Sequence, residues 1–538
     1  MTHLPHGFAC VAFADDAFPS FPTFPVIHRT HAAVFAGRIF PESFKNQDAD
    51  PFLFQIYRAF GAAVLEPGAR LSNTIGGAGD ARYRKRHVPW TGLTLSDART
   101  AARRWLEQRV SAVSLLPSAA AGITLDVVVP TYRVQPDLLE RILALRVPPG
   151  VTTQFTIICD RPGNAAATTA IEALTRAHTD DPMVRIRTND ANIGAGPSRN
   201  RGLAESAADW VLFLDDDVVP DPDILAAYAA AIRLHPRATG FVGHSRLPPP
   251  TNSRQAGVHL AGVAFFWGIA RANPQHTELP WGVTANLCVR RPPPGTLEFD
   301  EAFPKTGGGE DIDFCLRLRE LVRCTVADSE GFVAAPAAVV THPWWDGGRP
   351  ALSHFSGWAG GDGYLIDVFP ALTYRNLPDL CETLLALSLA CAGTAAVAIA
   401  AGHTRAPPIL RAAARPALLA FSGLVAVSAG CVAGDLADDA LKELIEEPEP
   451  ACAHLSLATR CAGLLQGLLI RTVSEAGRLA GHAGRGRLFA NAMRRFNWFG
   501  HMWSGAPAVE RGKSLRRTAV RAVFAAAGVT LLLRSWPH

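Results

Sequence analysis

Three consecutive carboxylates, Asp215-Asp216-Asp217, follow the apolar run Trp210-Val-Leu-Phe-Leu214. Acids directly after a fully apolar strand are costly unless a cation lies beside them. Carboxylates at i and i+2 past a strand end aim at one ion. A divalent ion held by one or two carboxylates keeps positions open for phosphate oxygens. The chemistry on offer is neutralisation of a diphosphate so that it can leave. Upstream, Asn189-Asp-Ala-Asn-Ile-Gly-Ala-Gly-Pro-Ser-Arg-Asn-Arg-Gly202 is a glycine-containing loop opening into a helix. Such a loop lets backbone approach phosphate, and a helix N-terminus favours an anion. Taken alone, the glycines are turn punctuation and Arg199 a surface or packing residue. Downstream, Gly307-Gly-Gly-Glu-Asp-Ile-Asp313 sets acids at a glycine-rich helix entry. They either cap the helix or supply a base that takes a proton from a hydroxyl.

The positioning elements alternate. Ile123 to Val129, Phe155 to Cys159, Val184 to Arg187 and Trp210 to Leu214 read as strands. Asp137 to Leu145, Asn164 to His178, Pro197 to Ala208 and Asp223 to Leu234 read as helices between or after them. That alternation predicts an α/β, mostly parallel sheet with right-handed crossovers. Ligands then bind beyond the carboxyl ends of the strands. The rule selects Pro130-Thr131-Tyr132, Asp160 and Asp215-Asp216-Asp217.

The ordered set from Leu125 to about Val322 resembles the nucleotide-sugar domain of family 2 glycosyltransferases, with the Rossmann-like GT-A fold. Val129-Pro-Thr-Tyr132 is similar to the first strand and turn bordering the nucleotide. Ile157-Ile-Cys-Asp160 is similar to the second strand, whose Asp contacts the base. Asn192-Ile-Gly194 with Arg199-Asn-Arg-Gly202 resembles the loop and helix before the metal strand, and Asp215-Asp216-Asp217 the DxD motif. The resemblance implies a nucleotide-diphosphate sugar donor, foremost a UDP-sugar, and a divalent metal, Mn²⁺ or Mg²⁺. Pro130, Thr131, Tyr132, Asp160, Asn192, Gly194, Arg199, Asp215 and Asp216 would then serve the donor. Asp215 and Asp217 would hold the metal, completed by His342 at the end of the strand Val339-Val-Thr-His342. Asp311 would be the base, Glu310 would orient it or the acceptor, and Asp313 would support the helix. The implied outcome is inversion at the anomeric carbon, and no second nucleophile suggests otherwise. Trp281-Gly-Val-Thr284-Ala-Asn286 resembles a segment lining the acceptor pocket.

Trp345 and Trp358, the latter in His354-Phe-Ser-Gly-Trp-Ala-Gly-Gly-Asp-Gly363, offer aromatic faces to a sugar or an anchor to a membrane. They are similar to gating segments of processive synthases, but the QxxRW pattern is absent. Farther on, Thr383 to Gly402 and Pro416 to Gly434 are uncharged runs of 20 and 19 residues, each long enough to cross a bilayer. Buried core helices are the other reading. From Arg471 onward, twelve Lys or Arg face only Glu475 and Glu510, with aromatics interleaved. That suits an anionic membrane surface; no nucleic-acid motif accompanies it. Val520 to Leu533 is apolar apart from Arg521 and Thr530, but too short for a clear span.

The expected organisation is therefore 1–118 without assigned chemistry, 119–345 the sugar-nucleotide domain, and 346–378 an acceptor or gating linker. Residues 379–435 would be two membrane helices and 436–538 an acidic then basic helical region. In the first part, Phe40 to Tyr57 and Leu71 to Gly77 read as folded polar loops between short elements, and Asp97 to Val113 as a helix. The 48% apolar and 19% charged composition suits a partly membrane-embedded chain. Ten scattered cysteines without CxxC spacing, and no signal-peptide pattern, predict a catalytic domain in the cytosol; the resemblance implies a glycan or lipid-linked acceptor. The arginines at 405, 411 and 415 between the spans oppose this under the positive-inside rule. A re-entrant run, an interfacial pair or a luminal domain would each resolve the conflict. A nucleotidyltransferase and a non-catalytic membrane scaffold are the competing functions. The former lacks the Gly-rich, basic loop expected after its first strand.

Overall fold

In the computed structural model, the described residues are 8–15, 22–40, 49–58, 62–71, 98, 101–102, 105, 122–305, 307–326, 328–345, 352–402, 407–500 and 505–535. The chain divides into two compact units. The first comprises Met1–Arg246, Phe266–Pro343 and Asp367–Ala371; the second comprises Leu247–Phe265, Trp344–Ile366 and Leu372–His538.

The first unit opens with a small sheet of β1 (Cys10–Asp15), β2 (Pro22–Ile27) and β3 (Ala63–Leu71), ordered β2-β1-β3. A helix, Ala49–Arg58, packs beside it. Its Phe52, Ile56 and Tyr57 are buried with Phe8 and Ala12, and Cys324 joins the same core. Part of the stretch read as polar loop is therefore helix, because those apolar residues recur at helical spacing. Most of the helix expected over 97–113, and residues 72–77, lie outside the described residues.

The main sheet is built from β4 (Ile123–Thr131), β5 (Val151–Thr152), β6 (Phe155–Cys159), β7 (Val184–Thr188), β8 (Trp210–Leu214), β9 (Val219–Pro220), β10 (Ala238–Arg246), β11 (Asn286–Arg290) and β12 (Glu330–Thr341). The order is β7-β6-β4-β8-β11-β10-β12-β9, with β5 on β4. β7, β6, β4 and β8 run parallel, as the alternation predicts, because crossover helices separate them. β11 enters antiparallel between β8 and β10. The chain winds outward from β4 to β6 and β7, then returns to the other side of β4 as β8. That reversal opens a crevice at the carboxyl ends of β4 and β8. Both strands are buried on each face, which their uninterrupted apolar runs require.

The second unit is helical. Leu457–Gly484 packs on Ser253–Ala261 and on Leu352–Gly360. A strand pair, β13 (Thr373–Arg375) with β14 (Arg494–Phe496), runs antiparallel within it. Among the described residues, three helices are long and apolar enough to cross a membrane: Leu380–Gly402, Ala414–Glu446 and Ala506–Ser535. The expected two become three. The stretch 520–533, judged too short by itself, is the apolar end of one continuous helix whose first half carries the charges.

Candidate functional site

Four strand or helix ends build the site. At the first, Thr131 closes β4. Its hydroxyl donates to Asp216 Oδ2 at 2.7 Å, and the backbone N–H groups of Tyr132 and Arg133 approach the same oxygen at 3.2 and 3.3 Å. Asp216 thus ties the two strands flanking the crevice. Burial pushes its carboxyl up; the Thr131 hydrogen bond opposes this and the Asp217 charge adds to it. Pro130 is buried in the strand, whereas Tyr132 is exposed, with the Arg161 guanidinium 4.8 Å from its ring centre.

The second end is β6. Asp160 Oδ1 accepts from Asn189 Nδ2 and from the Ile193 N–H, both at 2.9 Å, and Oδ2 from the Gly194 N–H at 2.7 Å. Asp160 therefore anchors the glycine loop. Gly194 sits at φ +99°, a region that favours glycine, and starts the helix Ala195–Glu205. Lys305 Nζ donates to the Asn192 carbonyl at 2.7 Å, which brings a cation to this helix start.

The third end is β8. Its acids do not share one point. Asp215 Oδ1 accepts from Arg199 Nη2 at 2.9 Å. Asp217 turns to two other cations: it pairs with Arg133 and lies 3.1 Å from His342 Nε2. The other imidazole nitrogen, Nδ1, donates to the Pro343 carbonyl at 2.6 Å. The His342 pKa is raised: burial opposes this, but the Asp217 hydrogen bond and charge prevail. Asp217 moves the other way. Burial disfavours its charge, yet the hydrogen bonds and charges of His342 and Arg133 hold it well below the usual carboxylate range. Among the described residues, no group of three His, Cys, Asp or Glu side chains is gathered as a metal site. The donor set nevertheless fits a hard divalent cation: a carboxylate and an imidazole are adjacent, the imidazole is oriented by a backbone carbonyl, and the carboxylate already attracts two positive partners.

The fourth end is the start of the helix Glu310–Thr325. Gly307, Gly308 and Gly309 all have positive φ, so residues with a Cβ would strain this entry. The turn lets Glu310 Oε2 accept the Gly308 N–H at 2.7 Å. Glu310 Oε1 lies 3.5 Å from Arg199 Nη1. Arg199 is buried and bridges Asp215 to Glu310, so Asp215 and the helix entry share one guanidinium. Asp311 is partly exposed. Burial and then the Glu310 charge push it up to about 8, against the pull of Arg199 and the Ile312 N–H.

Asp313, one turn in, is fully buried. Arg317 Nη2 holds it at 2.6 Å, and Arg58 Nη2 reaches it at 3.2 Å while also pairing with Asp300. Arg58, from the first hundred residues, thus reaches the helix Glu310–Thr325. Arg58→Ala is expected to destabilise the protein by about 3 kcal/mol, the low end for breaking a buried pair because Arg317 stays on Asp313. Chemical denaturation of the solubilised chain checks this; an unchanged midpoint would remove Arg58 from the account.

Of the expected acceptor residues, Thr284 and Asn286 are buried in this unit. The Asn286 amide is engaged inside the sheet. It donates to the Ala338 carbonyl at 2.8 Å and accepts from Tyr228 Oη at 2.7 Å. Trp345 and Trp358 belong to the second unit, with ring centres 6.2 Å apart and Phe355 beside both. Sequence reasoning passed over Arg133, Arg161 and Lys305. The strand-end rule contained the signal for the first two, which follow Tyr132 and Asp160 directly.

Residues 126–280 match the family model described as glycosyl transferase family 2. No curated protein matches the chain. Among solved structures, a Pyrobaculum calidifontis mannosyltransferase in complex with GDP-Man and Mn²⁺ is similar at 15% identity and TM-score 0.37, over 69% of this chain and 96% of that one. GalNAc-T7 with UDP, GalNAc and Mn²⁺ is similar at 12% identity and TM-score 0.32, over 54% and 60%. S. aureus TarS 1-349 is similar at 13% identity and TM-score 0.28, over 66% and 92%.

Proposed function

We propose that this glycosyltransferase, whose residues 126–280 belong to family 2, transfers a sugar from a nucleotide diphosphate to a hydroxyl of a glycan or lipid-linked acceptor, with inversion. The observation that carries the reading is the Arg199 bridge, which couples the acids after β8 to the entry of the helix bearing Asp311. Asp217 and His342, with Asp215, would hold Mn²⁺ or Mg²⁺. When bound, that cation supplies charge neutralisation to the leaving diphosphate. Tyr132, backed by Arg161, offers a face for the nucleotide base, a UDP-sugar being the foremost donor. Gly194 and Lys305 lie at a helix N-terminus suited to phosphate. Asp160 and Asp216 keep the loop and the two strands in place around the donor.

Asp311 takes the acceptor proton. The acceptor oxygen forms its bond to the anomeric carbon as the bond from that carbon to the diphosphate oxygen breaks. A single displacement inverts the carbon. A carboxylate with raised proton affinity suits this step, because a base near neutrality keeps the proton it removes. Glu310 orients the base and keeps its proton affinity high.

The test is a panel of UDP-, GDP- and TDP-sugars, each with and without Mn²⁺, read by melting temperature and by release of nucleoside diphosphate. One donor is expected to raise the midpoint in a metal-dependent way, since binding only the native state stabilises it. The same donor should be turned over. Binding without turnover, together with equal nucleotide affinity in Asp217→Ala, would instead leave a non-catalytic membrane scaffold.

A further inference from the structure

The three long apolar helices share a polar boundary at one end. At the start of Leu380–Gly402, Glu382 Oε2 meets Arg495 Nη2 at 2.7 Å, and Asp379 pairs with Arg478 and Arg495. At the end of Ala414–Leu441, Asp435 meets Arg471 at 3.1 Å and Arg521 at 3.0 Å. Asp438 meets Arg516 at 2.7 Å, and Asp439 meets Arg517 at 2.7 Å. Arg521 also donates to the Pro378 carbonyl at 3.0 Å, so the three helix ends are joined at one level.

Away from this belt the charges stop. Thr383 to Gly402, Pro416 to Gly434 and Ala522 to Leu533 contain none. Leu389, Ile399, Leu418, Val523 and Leu531 are exposed on these stretches. A helix lying in a membrane interface keeps one polar face; 383–402 has no charged residue on any face.

The last helix runs antiparallel to Ala414–Leu441, held by small residues. A Cβ on Gly434 would stand 2.8 Å from Arg521 Cα, one on Gly430 2.5 Å from Ala525 Cα, and one on Gly528 3.1 Å from the Ala426 carbonyl oxygen. Gly430 and Gly434 are four residues apart, the spacing by which membrane helices bring their backbones together. Continuing that register places Arg534 near the level of residue 420, about 7 Å short of Arg415 at 1.5 Å per residue. An arginine side chain spans that gap by extending along the helix.

From these observations we infer that the helical unit crosses a lipid bilayer three times. The ion-pair belt stands at one face, and Gly402, Pro408 and Ser535 stand at the other. The bilayer is the occupant of the apolar surface because 20 uncharged residues at 1.5 Å each match its hydrocarbon thickness of about 30 Å. Arg411, Arg415 and Arg534 then share the far face. The inference is independent of sugar transfer and stands or falls separately from it.

The experiment places an epitope with a protease site in the full chain at three positions in turn: within 403–406, after Glu447, and after His538. Sealed vesicles of both orientations are then digested. The 403–406 and C-terminal sites are expected to be cut from one face and the Glu447 site from the other. Cutting of all three from the same face overturns the inference in favour of an interfacial or re-entrant hairpin. A C-terminal site cut together with the Glu447 site overturns the third crossing. Release of the chain from membranes at alkaline pH points to a second copy of the chain as the cover, and also overturns it.

Discussion

Asp217→Asn is expected to lower kcat/KM for the sugar nucleotide by about 10³-fold, the scale for removing one group that stabilises charge developing on a leaving group. The reason lies in what Asp217 already attracts: the Arg133 guanidinium and the His342 imidazole, both within its reach and both opposing the effect of its burial. Deleting its charge removes the ligand that the proposed cation needs most. The Mn²⁺-dependent rise in melting temperature should vanish with the activity. His342 provides an independent readout, since Asp217 is what raises its pKa. Its NMR titration should move to lower pH in the variant. Asp216→Asn is the contrast. Asp216 serves Thr131 and the following backbone, so its loss is expected in stability more than in metal response. Turnover within tenfold of wild type in Asp217→Asn would end the metal assignment.

The second large effect is at Asp311. Asp311→Asn is expected to lower kcat by about 10³-fold, within the range for loss of a general base, with donor KM little changed. Its pH dependence carries a definite sign. The carboxyl is raised to about 8 and works as a base only when deprotonated. The kcat/KM of wild type should therefore climb with pH below about 8 and level off above it. Donor hydrolysis by water in Asp311→Asn should lack that limb. Glu310→Gln removes the second-ranked cause of the elevation, after burial, so its limb should shift to lower pH. A profile in Glu310→Gln that coincides with wild type would separate the two carboxylates and remove the coupling.

Much of this was legible before any fold. Phe155–Cys159 and Trp210–Leu214 are strands to the residue, because fully buried parallel strands are short apolar runs ended by a polar cluster. Asp160, Asp215, Asp217 and Asp311 stand out because each follows such an end or a glycine-rich entry. What escaped was non-local. Arg58 meets Asp300 across 242 positions, and no periodicity points from one to the other. The insertion of β11 between β8 and β10 depends on tertiary pairing, as does the engagement of Asn286 inside that sheet. The last apolar helix was hidden by its own charged first half, whose arginines are consumed by acids on a neighbouring helix. Hydropathy read along one segment cannot register such compensation.

Arg199 carries one positive charge for two carboxylates on different elements. If a donor's cation engaged Asp215, as proposed, the guanidinium would be free to pair more fully with Glu310. A better-neutralised Glu310 would weaken the field that makes Asp311 hold its proton, and the base would become competent at lower pH. On the proposed assignment, loading of the sugar nucleotide would then prime Asp311, and reactivity toward the acceptor would depend on the donor being seated first.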